Sequence, residues 1–191
     1  MNMPSFVTSV AVLLALGACT STKSTLAKTG TYTGCVRQLD ANAGTNSLQV
    51  ILNKSDQDQL VVTTSEPALQ AAFYTAFVQG REVVVTHHDA SPKVVISAVL
   101  SKQAPPCQLT PQPPSSEKLY CVDSLRIEQE SLLVSVYESP KSRLITWNVD
   151  DPVLQSLLEV AFLWQQRVMI GQTNNVVTRV RLDRFDTGTC N

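Results

Sequence analysis

Few side chains of this chain have the type and spacing that catalysis or metal binding requires. The two histidines, His87 and His88, are adjacent, and neighbours on a strand point to opposite faces, so a solvated strand end is a simpler explanation than a shared metal site. Asp150 and Asp151 form a carboxylate pair, but Asp151 precedes a proline and is explained as a helix cap. The sequence contains no phosphate-binding loop or nucleophile elbow. We therefore predict a protein that acts by binding, without catalysis, metal or cofactor.

Cys19 is the residue whose context indicates a covalent modification. It ends an N-terminal segment with an apolar run, residues 6–16, of signal-peptide length. The text Leu-Gly-Ala-Cys at positions 16–19 resembles a bacterial lipobox, in which a peptidase cuts after small residues and the cysteine thiol carries diacylglycerol. The first five residues contain no Lys or Arg, so an ordinary secretory signal with an incidental cysteine is the alternative. Because Thr20 rather than Asp follows, we predict an outer-membrane lipoprotein that faces the periplasm or the cell surface and contacts the membrane through its lipid.

The rest of the chain is an internal duplication. Residues 35–107 return, diverged but in order, as residues 121–190. Matched positions include Cys35 and Cys121, Val50 and Val134, Leu69 and Leu154, Phe77 and Phe162, and Leu100 and Leu182. A single period of about 85 residues indicates two copies of one small domain rather than a solenoid or one large core.

The four remaining cysteines lie near the ends of the two copies. An exported protein in an oxidising compartment can pair Cys35, Cys107, Cys121 and Cys190, and four cysteines allow three connectivities. The duplication favours the pairs Cys35–Cys107 and Cys121–Cys190, because each copy must have been self-sufficient when it arose. Each bridge would close a loop of about 70 residues and contribute roughly 4 kcal/mol to a small domain.

Each copy shows the same predicted order of elements, three strands, a helix and two strands. In the first copy we predict strands at 32–39, 47–53, 60–64, 82–86 and 94–100, with a helix at 67–79. In the second copy the strands are 119–125, 132–137, 144–148, 168–171 and 176–182, with a helix that begins at Pro152. The helices have matching apolar stripes, formed by Leu69, Ala72, Phe73, Ala76 and Phe77 and by Leu154, Leu157, Leu158, Ala161 and Phe162.

These elements predict the domain organisation. Residues 1–18 are a lipoprotein signal peptide, 19–30 a tether, 31–104 the first domain, 105–118 a proline-rich linker and 119–191 the second domain. The element order is that of the OB-fold, a small barrel whose helix lies between the third and fourth strands. We predict a mainly β fold with one helix per domain, as two tandem OB-like β-barrels.

The amino-acid sequence of the repeat also resembles one protein family. Residues 72–85, an alanine-rich helix that leads through Gly80-Arg81 into Val83-Val84-Val85, and more loosely 161–170, are similar to the B subunits of AB5 toxins of the pertussis and subtilase-cytotoxin kind. The resemblance covers both repeats and implies OB-fold modules that recognise glycans. The tandem arrangement, the lipobox and the proline-rich linker depart from those toxins, and no sugar-contacting residue transfers by position.

Charge and aromatic residues narrow the ligand class. A net charge of −1 and a pI of about 6.1 argue against nucleic acid, the common OB ligand. Arg179 and Arg181 share one strand face and are weak candidates for an anionic ligand, with a solvated face as the alternative. Tyr137 and Trp147 are weak candidates for a sugar platform, with burial in the core as the alternative.

The second helix has an additional apolar line. Val153, Val160 and Trp164 lie roughly opposite part of its core stripe, where the first helix has less apolar residues. This line packs either on the other repeat or on a partner, including another copy of the chain in a homo-oligomer. We predict an envelope-anchored, non-catalytic binding lipoprotein that recognises a glycan or protein. The alternative is an assembly component of an envelope or secretion complex that docks a protein through this helix.

The lipobox hypothesis is tested by replacing its cysteine. Cys19→Ala should abolish metabolic labelling with radioactive palmitate, because no thiol remains to carry the lipid, while Ser21→Ala should label normally. Unchanged labelling of the Cys19→Ala chain would show that the lipobox assignment is wrong.

Overall fold

The computed structural model describes residues 28–55, 57–101, 103–109, 117–128, 131–184 and 190. The predicted lipidation site Cys19, the signal peptide and most of the tether lie outside the described residues. The elements are β1 (Thr29–Asn42), β2 (Leu48–Asn53), β3 (Gln59–Thr64), α1 (Pro67–Gln79), β4 (Glu82–His88), β5 (Val95–Leu100), β6 (Leu119–Glu128), β7 (Ser131–Tyr137), β8 (Ile145–Val149), α2 (Pro152–Leu163), β9 (Val168–Thr173) and β10 (Val176–Asp183). Neither α1 nor α2 is long and apolar enough to cross a membrane.

The first repeat closes into a five-stranded barrel. β1 pairs with β2 and β4, β2 pairs with β3, and β4 pairs with β5, all antiparallel. A parallel bridge between Thr63 and Val94 joins β3 to the start of β5 and completes the ring. One long strand therefore serves both sheets of the barrel, as in an OB-fold.

The second repeat closes in the same way. β6 pairs with β7 and β9, β7 with β8, and β9 with β10, and a parallel contact between Val176 and Asn148 joins β10 to β8. Even the irregularities recur, since the shift in β1 between Val36 and Gln38 returns in β6 between Val122 and Ser124. The prediction of a mainly β fold with one helix per tandem OB-like barrel is confirmed.

Local sequence explains where the helices begin and end. Each starts with a proline in its first turn, and Asp151 caps α2 as predicted. Gly80 ends α1 in the left-handed conformation, with φ of 63°, and its N–H donates to the carbonyl of Ala76 at 3.1 Å. A Cβ at this position would also come within 2.9 Å of the Arg184 guanidinium, which would have to shift to make room.

One member of the predicted core stripes is not in the core. Phe77 in α1 is 1% exposed, whereas its counterpart Phe162 in α2 is 39% exposed. The two residues occupy the same position in the repeat, and Arg184 lies over the Phe77 ring at 5.5 Å from its centroid. Phe162 is therefore a surface residue, contrary to the prediction.

Both predicted disulfides are present. Cys35 is bonded to Cys107 with a Cα–Cα distance of 5.7 Å, and Cys121 to Cys190 with a distance of 5.5 Å. The first bridge holds part of the predicted linker against the first barrel. The N–H of Cys107 donates to the carbonyl of Gly80 at 2.7 Å, and Pro106 forms a bridge with Arg81. The described start of that segment is thus packed structure rather than a free spacer.

The two barrels are joined by strand pairing. The second half of β1, residues 38–42, pairs antiparallel with residues 179–183 of β10, in a register that sets Leu39 opposite Leu182 and Ala41 opposite Val180. All ten strands consequently belong to one continuous hydrogen-bonded sheet. The buried apolar residues of both repeats also form one contiguous core.

Removing one disulfide tests its contribution to stability. The Cys35→Ala, Cys107→Ala chain should lose about 4 kcal/mol of unfolding free energy in urea, because the unfolded chain regains the entropy of a loop of about 70 residues. The Cys121→Ala, Cys190→Ala chain should lose nearly the same amount, since the two bridges span 72 and 69 positions. Peptide mapping that found Cys35 bonded to Cys121 would overturn this account.

Candidate functional site

Arg179, suggested by the sequence as a contact for an anionic ligand, instead forms an ion pair at the junction between the repeats. Arg179 of β10 donates twice to Asp40 of β1, from Nε to Oδ1 at 3.0 Å and from Nη2 to Oδ2 at 2.5 Å. The Asp40 side chain is 3% exposed, and its hydrogen bond raises the pKa of Arg179. Arg181 forms an ion pair with Glu117. Both arginines suggested for an anionic ligand therefore form ion pairs within the chain.

The helix ends are tied to the opposite repeat. Asp151 Oδ1 accepts from the N–H groups of Val153 at 2.9 Å and Leu154 at 3.3 Å, which caps α2. Its Oδ2 accepts from the N–H of Gly44, in the β1–β2 loop of the first repeat, at 2.9 Å. The Arg184 guanidinium, whose pKa burial lowers, donates to the carbonyl of Phe77 at the end of α1. These contacts fix α1 and α2 side by side.

A groove of about 250 Å³ runs between the two helices. It is lined by Tyr74, Thr75, Val78 and Gln79 of α1 and by Val160 and Trp164 of α2. The Tyr74 hydroxyl is buried and has no hydrogen-bond partner among the described residues. Burial raises the pKa of Tyr74 well above its usual value, and the nearby Asp151 carboxylate raises it further. This phenol therefore stays neutral, so the groove combines the apolar Val78, Val160 and Trp164 with uncharged polar side chains, and no charged group lies among the described residues of its lining.

Of the apolar line predicted on the second helix, part packs on the first repeat and part stays exposed for a partner to contact. Val153 is buried and Val160 half-buried, and both line clefts between α1 and α2, so they face the first repeat. Trp164 lies at the mouth of the groove and is 56% exposed, beside Leu163 at 72%. With Phe162, these residues form an exposed apolar patch at the end of α2, which we call the α2-end patch. The residue that stays available to a partner is Trp164, and the sequence did not single out Leu163.

The aromatic residues proposed as a sugar platform are less accessible. Trp147 is 5% exposed and packs edge-on against Tyr120, with ring centroids 5.3 Å apart. It is a core residue, which corrects the prediction, because its position on β8 points into the barrel. Tyr137, at the end of β7, is half-buried.

A second concave surface lies on the first barrel. A cleft of about 400 Å³ is bounded by β2, β3 and the β4–β5 loop, and its lining includes Gln49, Gln59, Val61, Thr63 and Lys93. Residue Thr63 donates its N–H to the carbonyl of Lys93 at 2.8 Å, which holds the loop against β3, and Lys93 pairs with Asp89 at 3.3 Å. The strand 2–3 face with this loop is where OB-folds bind oligosaccharides and oligonucleotides.

The sequence analysis missed this cleft, although a signal was available. The β4–β5 connection spans residues 89–94, whereas the corresponding β9–β10 turn has only residues 174 and 175 between its strands. The longer loop forms one wall of the cleft, and the second barrel has no comparable wall. A comparison of loop lengths between the repeats would have predicted an asymmetric site.

The histidines lie apart, as strand geometry requires. His87 is buried against Gly30 on the inner face of β4, and His88 is half-buried on the other face. The expected solvated strand end is thus wrong for His87. Within the described residues, no group of three or more His, Cys, Asp or Glu side chains is arranged to hold a metal ion.

Comparisons with known proteins give little further guidance. No protein-family model matches the chain, and no curated protein matches it. A solved structure described as "Molecular basis for abrogation of activation of pro-inflammatory cytokines" is similar over 80% of this chain and 88% of that chain, with 10% sequence identity and a TM-score of 0.31. At that TM-score the shared architecture is slight, and the OB-like assignment rests on the strand connectivity.

Proposed function

We propose that this chain is a non-catalytic binding lipoprotein of the bacterial outer membrane that docks an envelope protein through the groove between α1 and α2. The observation that supports the proposal most directly is Trp164, more than half exposed beside a groove whose lining is uncharged and partly apolar. Binding hot spots of protein–protein interfaces are enriched in tryptophan and are commonly found at preformed pockets.

The size and chemistry of the groove favour a protein over a small molecule. Its volume of about 250 Å³ is below the roughly 300–1,000 Å³ typical of small-molecule sites. A lining of Val78, Val160 and Trp164 with uncharged polar side chains suits an inserted uncharged side chain rather than a charged ligand. The α2-end patch next to the groove would extend the contact beyond a single inserted side chain.

A glycan site on the second barrel is less well supported. Trp147 is in the core, and Arg179 and Arg181 are paired within the chain, so three of the four suggested ligand residues are occupied structurally. The resemblance of residues 72–85 to toxin B subunits agrees with a binding role, since those subunits recognise receptors rather than catalyse reactions. The lipid at Cys19 would keep the binding surface at the membrane.

Substitution of Trp164 tests the protein-docking proposal. In the full chain, a photoreactive phenylalanine analogue at position 164 should give a discrete crosslinked adduct in cells, and Trp164→Glu should weaken binding of the identified partner by roughly thirtyfold, as expected for the loss of about 2 kcal/mol at a hot spot. The matched control is Leu144, another half-exposed apolar residue that lies away from the helices.

The outcomes are clearly separated. Adducts of equal yield at positions 144 and 164 would contradict a specific site at the groove. A cooperative thermal unfolding transition that collapses in Trp164→Glu would instead place that side chain in a structural role and remove the basis of the proposal.

The cleft on the first barrel supports a second candidate function, recognition of a glycan. The observation that favours it is the set of exposed amides, Gln49 and Gln59, facing Lys93 across an open cleft at the usual OB ligand face. Amide groups and a cation are suited to the hydroxyl and carboxylate groups of an acidic sugar. This site is distinct from the interhelical groove and could operate beside it.

A glycan array probed with the oxidised full chain tests this second candidate. Saturable binding to an acidic sugar should be lost in the Gln49→Ala, Gln59→Ala chain, because both amide hydrogen-bonding groups are removed, and retained in Gln172→Ala, an exposed glutamine of the second barrel. Binding that the double substitution leaves unchanged would exclude the cleft as the site.

A further inference from the structure

Two different strand edges pair at the junction between the repeats, and because the chain is a duplication, each of these edges has an equivalent in the other repeat. One edge is the second half of β1, residues 38–42, and the other is the second half of β10, residues 179–183. The counterpart of the first edge in the second repeat is the end of β6, and the counterpart of the second edge in the first repeat is β5. Within one chain, β1 and β10 pair with each other, and the equivalent edges of β6 and β5 stay unpaired among the described residues.

Strand registers establish these equivalences without reference to overall superposition. Leu39 pairs with Val50 in β2, and Leu125 pairs with Val134 in β7, so Ala41 corresponds to Ile127 two positions further on. On the other side, Ala98 pairs with Val85 in β4, and Val180 pairs with Ile170 in β9. Val180 therefore corresponds to Ala98, and Arg181 to Val99.

The positions that the junction buries are exposed where no junction forms. Ala41 is 1% exposed, whereas the equivalent Ile127 is 79% exposed. Val99 is exposed at the position of the mostly covered Arg181, and Ala98 is half-buried at the position of the buried Val180. Phe77 and Phe162 at the helix ends differ in exposure in the same direction.

Both leftover edges lack a strand partner within the described residues. In β6, residues 124–128 pair with β7 on one side, and the pairing with β9 is confined to Leu119 and Tyr120. In β5, residues 95–100 pair with β4, and the contact with β3 lies at Val94 before the strand begins. The β6 edge carries the exposed charges Arg126 and Glu128, but between them it exposes Ile127, and the β5 edge exposes Ile96 and Val99.

We propose that a second copy of this chain covers these edges, with β6 of one chain pairing antiparallel with β5 of the next. The internal junction is the template, and it predicts Leu125 opposite Leu100, Ile127 opposite Ala98 and Glu128 opposite Ser97. No like charges face each other in this register, since Arg126 falls opposite Val99.

The intermolecular contact is weaker than its internal template. Asp40 and Arg179, which form the buried ion pair of the junction, correspond to Arg126 and Ser97, which cannot form one. Arg126 instead pairs with Glu128 of its own strand at 3.0 Å. Association is therefore reversible and depends on concentration. Because the two edges differ, it proceeds head to tail, and it closes into a ring when the rotation per chain allows.

Site-specific crosslinking of the full chain tests the register. A mixture of Ile127→Cys and Ala98→Cys chains should give a disulfide-linked dimer on a non-reducing gel, with at least tenfold more product than either variant alone. Thr146→Cys, an exposed strand position away from both edges, is the matched control and should give no product above background with Ala98→Cys. Trp164→Glu should leave the crosslink unchanged, which separates this contact from the groove.

A mass measurement provides an independent test that does not rely on added thiols. Light scattering should show the mass of the unmodified chain rising above the monomer with concentration, whereas Ile127→Lys and Val99→Lys should each remain monomeric and Leu144→Lys should behave as the unmodified chain does. Two results would overturn the proposal. One is a dimer formed as efficiently by Ile127→Cys alone, which would mean that β6 pairs with itself. The other is a monomer at all concentrations with no crosslink, which would mean that another protein covers these edges.

Discussion

The structure depends on the strand pairing between β1 and β10 and on the ion pair at its centre. Asp40 is almost fully buried, and a buried carboxylate without a partner is destabilising by several kcal/mol, so this strand tolerates its place in the sheet only while the Arg179 side chain pairs with Asp40. The ladder sets the first repeat against the second in one register. That register places α1 beside α2, and the interhelical groove exists only as a consequence. Contacts far apart in sequence thus create the candidate site, and neither repeat contains it alone.

The disulfides stabilise each repeat separately, and the junction stabilises the arrangement of the two repeats. Each disulfide lies within one repeat and restricts the unfolded chain, which matters for barrels whose cores are small. The junction adds a shared apolar core and hydrogen bonds such as that from Gly44 to Asp151, which no disulfide supplies. The described part of the proline-rich segment packs on the first barrel, so the relative placement of the repeats comes from strand pairing. This explains why two domains joined by a long connection can still present one defined groove.

Local sequence was sufficient for the elements but not for their exposure. Prolines, Gly80 and Asp151 determine the helix ends, because their effects act within one turn, and the duplication selected the correct cysteine pairing from three possibilities. The alternation of apolar and polar residues in a strand does not indicate which strand pairs with its edge, so the β1–β10 ladder could not be predicted from the sequence. For the same reason the sequence could not distinguish a core Trp147 from an exposed one. Phe77 and Phe162 show the limit most directly, since identical residues in equivalent places differ in exposure because only one is covered.

This last contrast also bears on how a tandem repeat arises from a self-associating domain. A domain that pairs two different edges can continue head to tail, and fusing two copies makes one of those contacts intramolecular, with the effective concentration of a tether. The internal contact then tolerates a buried ion pair, since Asp40 and Arg179 are always supplied together. At the outer edges the partner charge arrives only with a second chain, and each association would have to remove a carboxylate and a guanidinium from water. Ile127 and Val99 carry no such desolvation cost, so an outer contact built from them can form and separate without a buried charge.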